Sequence, residues 1–157
     1  MTSVVFVCWG NICRSPMAEQ VAREWAAREG IEATFTSAGV SAEEQGNPID
    51  HRAAAVMRQA GYPVSSHRAH RITADEIRQA SLVVGMEQLH LDRMRRLVPD
   101  ADNLALLTDF DPSAVPGSPV DDPWYGPPSG FRDTLASVEA AMPGLMRRIA
   151  ELAQAPA

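Results

Sequence analysis

Apolar residues fall in two rhythms along this 157-residue chain, and their alternation predicts its elements. Val4-Val5-Phe6-Val7 is a short, unbroken, β-branched run, the mark of a strand buried on both faces, and predicts a strand over Ser3–Cys8. After Pro16 the apolar set Met17, Val21 and Trp25 recurs at every fourth position, so a helix follows and ends at Gly30. Ala33–Ser37 alternates as a second strand. A helix over Asp50–Ala60 has Asp50 as its cap, turns Ala53, Val56, Met57 and Ala60 inward, and closes at Gly61. Thr73 with Glu76 has capping-box spacing for a short helix. Leu82–Met86 is a third apolar strand, Glu87–Leu97 a helix, and Leu104–Leu107 a short fourth strand. Asp109–Gly130, rich in Pro, Gly and Asp, must be a long shaped loop. Phe131, Leu135, Val138, Met142, Leu145, Ile149 and Leu152 mark a terminal amphipathic helix that Pro143 should kink or split.

Strands alternating with helices predict a single α/β sandwich over residues 1–157, built on a parallel sheet. Functional residues should then gather at the C-terminal edge of the strands, where Cys8 already lies. Composition narrows the picture. A 45% hydrophobic and 22% charged content is that of an ordinary globular chain, and a net charge of −6 argues against nonspecific nucleic-acid binding. No apolar run reaches membrane-spanning length, and the first residues lack a basic leader pattern. Two Cys five positions apart form no secreted disulfide framework, so reduced thiols in the cytoplasm are expected.

The junction after the first strand carries the chemistry. Cys8 and Arg14 bracket Trp9, Gly10, Asn11, Ile12 and Cys13, and Ser15-Pro16 suits the N-cap and first position of the helix that follows. A loop of that length at a helix N-terminus can wrap a tetrahedral anion with successive backbone N–H groups. Arg14 can add two parallel donors, and such positive surroundings lower a thiol pKa. Gly10 permits close backbone approach, Asn11 tolerates the left-handed conformation, and Ser15 can hydrogen-bond the sulfur. Cys8 is then a nucleophile in the floor of a phosphate cradle. The bland alternative is a packed structural Cys. A Walker loop is excluded by the absence of Gly-Lys-Ser/Thr, and a zinc site from Cys8, Cys13, His67 and His70 has no standard spacing.

Displacement on phosphorus by a thiolate also needs an acid for the leaving oxygen. Asp122, in Asp121-Asp122-Pro123-Trp124-Tyr125-Gly126, offers a carboxylate on a rigid backbone beside two aromatic residues that suit an aryl ring.

Val7 to Glu19 and Asp122 to Gly126 together resemble the signature and general-acid loop of the low-molecular-weight protein tyrosine phosphatases. Thr36-Ser37-Ala38-Gly39 and Ser66-His67-Arg68-Ala69 also fit in order. The resemblance implies a four-stranded parallel sheet flanked by helices, no metal and no cofactor. It implies that Cys8 forms a phosphocysteine, that Arg14 binds phosphate, and that Asp122 is the general acid and then base. It places Asn11, Ser15, Ser37 and His67 as supports of the loop. The place of Cys13 in the loop suggests a disulfide with Cys8 under peroxide, the bland alternative being a small packing residue. The stretch Ser41–Gly46 has no aromatic substrate wall, so Trp9 is expected to join Trp124 and Tyr125 as one.

Arsenate reductases of Gram-positive type share the loop but need relay cysteines after Cys13, which this chain lacks. Phosphoarginine phosphatases typically have Thr where Ile12 stands. Ile12, Trp124 and Tyr125 therefore favour phosphotyrosine proteins or aryl phosphates as substrates, with inorganic phosphate as product. A non-catalytic phosphate-binding module would be expected to lack Cys8 or Asp122. A monomer with no nucleic-acid or membrane partner completes the expectation.

Overall fold

The computed structural model describes residues 1–154. The strands are β1 (Thr2–Cys8), β2 (Ala33–Gly39), β3 (Leu82–Gly85) and β4 (Leu104–Leu106). The helices are α1 (Arg14–Glu29), α2 (His51–Gln59), α3 (Ala74–Gln79), α4 (Gln88–Leu97) and α5 (Gly130–Gln154). Single 3₁₀ turns occupy Leu107–Phe110 and Pro123–Tyr125. All three pairings are parallel, and the strand order is β2-β1-β3-β4.

The alternation along β1 explains the layers. Val4 and Phe6 point into a core shared with α1, α2 and α5, with Phe6 stacked on Phe35 at 6.3 Å. Val5 and Val7 point the other way, into a second core with Ile77 of α3 and Leu91 and Met94 of α4. Because β1 is covered on both faces, its residues are apolar without a break. The chain leaves β1 for one neighbour and later returns on its other side. The loop after β1 therefore opens at the point where the strand order reverses, the crevice in which open α/β sheets hold ligands.

Several expectations hold in detail. Gly30 ends α1 in the left-handed conformation at φ 68°, Asp50 caps α2 by accepting from the Arg52 N–H, and Thr73 with Glu76 forms the capping box of α3. Others need correction. Helix α1 starts at Arg14 rather than after an Ser15 cap, because the Ser15 hydroxyl is turned toward the sulfur of Cys8. On α2 the buried residues are Ala53, Ala54 and Met57, while Ala60 is exposed in the turn. Pro143 does not split α5, which is one helix of 25 residues. A proline inside a helix loses a single backbone donor, and the burial of Val138, Met142, Leu145 and Ile149 outweighs that loss.

Candidate active site

The loop between β1 and α1 is held open by side chains rather than by its own hydrogen bonds. Asn11 sits at φ 61°, in the region expected for it, and is fully buried. Its amide donates to Ser15 Oγ (2.9 Å) and Ser37 Oγ (3.0 Å), while its Oδ1 accepts from the His70 backbone N–H at 3.1 Å. The Asn11 carbonyl meets His67 Nε2 at 2.6 Å. A carbonyl only accepts, so His67 donates from Nε2. The backbone carbonyls of Cys8, Trp9 and Ile12 are likewise taken, by the N–H groups of Val40, Ser41 and Asp50. Every carbonyl named here is thus taken by a donor from outside the loop. The N–H groups of Trp9 through Cys13 find no protein acceptor among the described residues. Successive unpaired donors around one concavity are what an anion requires.

Cys8 lies buried in the floor, with its Sγ 3.0 Å from Ser15 Oγ. Ser15 accepts from Asn11, so its one hydrogen points to the nearer of two acceptors, the sulfur at 3.0 Å, with the Ala38 carbonyl at 3.4 Å as the weaker alternative. Arg14 is buried, and its donors divide cleanly. Nη1 is occupied by Glu87 Oε2 at 2.7 Å and by the Val120 carbonyl at 2.8 Å. Nη2 stands 3.5 Å from Asp122 Oδ2, a loose contact, and Nε has no partner among the described residues. Nε–H and Nη2–H thus form the open side of the fork, the geometry that takes two phosphate oxygens at once.

Asp122 reaches the same pocket from the far end of the sequence. Val120 is pinned to the sheet edge by its N–H on the Met86 carbonyl at 2.8 Å. Two residues on, Asp122 Oδ1 accepts from the Trp124 N–H at 3.0 Å, which leaves Oδ2 facing the pocket. The pocket measures about 520 Å³ including the solvent at its mouth, and is lined by Cys8, Arg14, Asp122, Trp9, Trp124 and Tyr125 among others.

The family described as low molecular weight phosphotyrosine protein phosphatase matches residues 3–155. The chain belongs to that family. Low molecular weight protein-tyrosine phosphatase A of Mycobacterium tuberculosis is 39% identical over 145 residues, spanning 90% of this chain and 88% of that one. The low molecular weight protein-tyrosine-phosphatase of Streptomyces coelicolor is 39% identical over 154 residues, spanning 94% and 93%. A crystal structure of the protein tyrosine phosphatase from Entamoeba histolytica superposes with a TM-score of 0.90 over 96% of this chain and 98% of that one. At 24% identity that likeness speaks for the fold alone.

In this member of the low-molecular-weight phosphatases, the predicted site residues converge. Cys8, Arg14, Asp122 and Trp124 line one pocket, while Asn11, Ser15, Ser37 and His67 form one network behind it. Cys13 is buried beside Cys8, and burial, Asp50 and the Cys8 charge push its thiol above the ordinary range. Trp9 lines the pocket, but one of its faces is covered by the Arg93 guanidinium at 4.5 Å and its Nε1 donates to Glu43 at 3.1 Å. Tyr125 is 88% exposed and Trp124 43%, so Trp124 is the sheltered wall; Arg52, clamped by Asp50, lies 5.0 Å over it.

The sequence reading missed Glu87, Val120 and the acidic rim of Glu43 and Glu44. Glu87 follows a buried strand at its C-terminal end, the position that the sheet topology marks as functional. Val120 acts through its backbone carbonyl, and no residue-type signal exists for that.

Proposed function

We propose that this chain hydrolyses phosphotyrosine monoesters in two displacements at the Cys8 sulfur. The ester's phosphoryl oxygens take the unpaired N–H groups of the loop and the open fork of Arg14. The Cys8 thiolate attacks phosphorus, the P–O bond to the tyrosyl oxygen breaks, and Asp122 passes its proton to that oxygen. The products of this step are a phosphocysteine and a free phenol. Asp122, now ionised, removes a proton from water. The resulting oxygen nucleophile displaces the sulfur, releasing inorganic phosphate and restoring the thiolate, which Ser15 stabilises as leaving group.

The observation that carries this reading is the division of donors on Arg14. Two contacts fix Nη1 in place, and the face left open points into the same pocket as Cys8 and Asp122. Trp124 and Tyr125 favour a flat aryl ring over the flexible aliphatic arm of a phosphoarginine, and Ile12 offers no hydroxyl to its guanidine. A catalytic thiol needs reducing surroundings, so the cytoplasm is the compartment this chemistry suits.

Turnover of phosphotyrosine, phosphoserine and phosphoarginine peptides tests the assignment. Cys8→Ser is expected to lose about 10⁴-fold or more, as a removed nucleophile does. Asp122→Asn should lose roughly 10²–10⁴-fold on phosphotyrosine, the usual worth of a general acid, and far less on para-nitrophenyl phosphate, whose leaving group needs no proton. An equal deficit on both esters would remove Asp122 from the role of acid.

A further inference from the structure

Beside the pocket over Cys8 lies a second cavity of about 460 Å³, including its mouth, lined by Arg71, Arg93 and Arg96 with Val40, Ile72 and Leu97. None of these three guanidinium groups makes an ion pair or side-chain hydrogen bond with another described residue. Among the described residues Arg14, Arg23, Arg52, Arg78, Arg95 and Arg148 each face a carboxylate, and the other arginines without one, Arg28, Arg58, Arg68, Arg132 and Arg147, do not line this cavity. In a chain of net charge −6, three uncompensated cations around one concavity is a local reversal of sign. Arg96 stands in the last turn of α4, where the helix dipole favours a cation, but that accounts for neither Arg71 nor Arg93.

The two cavities share a wall. Arg93 lines the basic cavity and lies over the ring of Trp9, which lines the pocket of Cys8. On its other edge Trp9 donates to Glu43, and Glu44 lines the same pocket. Trp9 therefore divides an acidic rim from a basic one.

We propose that the cavity between Arg71, Arg93 and Arg96 is a subsite for an anionic side chain of the peptide whose phosphotyrosine enters the Cys8 pocket. The group it takes is a carboxylate or a second phosphate, the two anions that a guanidinium fork fits. The Glu43–Glu44 rim disfavours such a group where Trp9 Nε1 meets Glu43, so the pair of rims biases the direction in which a peptide lies. This inference rests on the phosphotyrosine reading above.

The test is a set of phosphotyrosine peptides with a single Glu, or a single phosphoserine, moved through the positions on either side of an otherwise neutral sequence. Solvent-exposed charge pairs are individually weak, so three cations together should raise kcat/KM about tenfold at the favoured position. The gain should lie on one side of the phosphotyrosine only and shrink in high salt. In Arg71→Glu/Arg96→Glu the ratio of acidic to neutral peptide should fall to one or below. The Glu and phosphoserine arms distinguish a carboxylate site from a phosphate site. The same peptides titrated against Cys8→Ser report the subsite without any chemistry, so a failure of the phosphotyrosine reading in turnover leaves this measurement standing. Equal affinity at every position, or a preference that survives the charge reversal, overturns the proposal.

Discussion

Arg14 depends on Glu87 for more than charge. A guanidinium buried this deeply has several torsions to fix, and two contacts on Nη1 hold its plane so that Nε and Nη2 open onto the pocket. Glu87 is itself about one-third exposed, so its pairing with Arg14 is partly screened, and a worth of about 1–2 kcal/mol is reasonable for a charge-assisted bond in that setting. Glu87→Ala should therefore lower kcat/KM by about five- to thirtyfold. Inhibition by inorganic phosphate should weaken in parallel, because the fork that grips the phosphate has lost its orientation. Glu87→Gln keeps an acceptor for Nη1 and should recover part of the loss. Full activity in Glu87→Ala would show that the Val120 carbonyl alone orients Arg14. The sequence disclosed Cys8 and Arg14 because their spacing is chemical. Glu87 belongs to a different element and meets Arg14 only through the sheet, so no local pattern announces it.

The end of β2 is as much a part of the phosphate loop as the loop itself. Gly39 is paired with Cys8, and a Cβ built there would lie 2.7 Å from the Trp9 carbonyl oxygen and 3.2 Å from the Gly10 carbonyl carbon. Those obstacles are backbone, so the loop would have to shift. Gly39→Ala is predicted to cost about 1–3 kcal/mol of stability, as overpacking does, and to lower kcat/KM at least tenfold by moving the donors off the phosphate. Gly30→Ala provides the contrast. That residue is in the left-handed C′ position of α1 with open space around it, so stability should fall by about 1 kcal/mol with turnover intact. Urea midpoints and kcat/KM for both variants decide the matter, and a Gly39→Ala enzyme of normal kcat/KM would detach β2 from the site. Elements of this kind were legible where one face is repeated, as along α5 or in the unbroken run of β1. They were not legible where tertiary packing overrides a local rule. Pro143 reads as a breaker until the apolar stripe on both sides of it is seen to be buried as one surface.

For the molecule as a whole, the alternation of strand and helix gave the parallel sheet, and the position of Cys8 at a strand end gave the location of the site. The strand order did not follow from the pattern, because β2 and β3 are each equally able to pair with β1. Nor does the apolar pattern announce that α4 buries a histidine. His90 is fully buried, and its Nδ1 accepts the Glu87 N–H at 3.1 Å, so its hydrogen sits on Nε2, which finds no hydrogen-bond partner among the described residues. Burial, with Arg14 and Arg93 nearby, pushes its pKa down to about 3. Glu87 Oε2, at 3.8 Å from Nε2, is too distant to counter this and is already committed to Arg14. The sign of the linkage follows directly. In the unfolded chain the imidazole takes a proton below about pH 6.5, while in the folded chain it stays neutral to about 3. The folded state thus binds fewer protons across that window, and stability falls as pH drops through it. At pH 5 the loss is about 2 kcal/mol relative to pH 7.5. Asp50, held below the ordinary carboxylate range by Arg52 despite its burial, contributes nothing between these two pH values, since its stabilisation is lost only in stronger acid. Urea unfolding at pH 7.5 and pH 5 on wild type and His90→Asn isolates the effect. The variant should be weaker at pH 7.5 yet lose about 2 kcal/mol less on acidification, and parallel losses in the two proteins would place the acid sensitivity elsewhere.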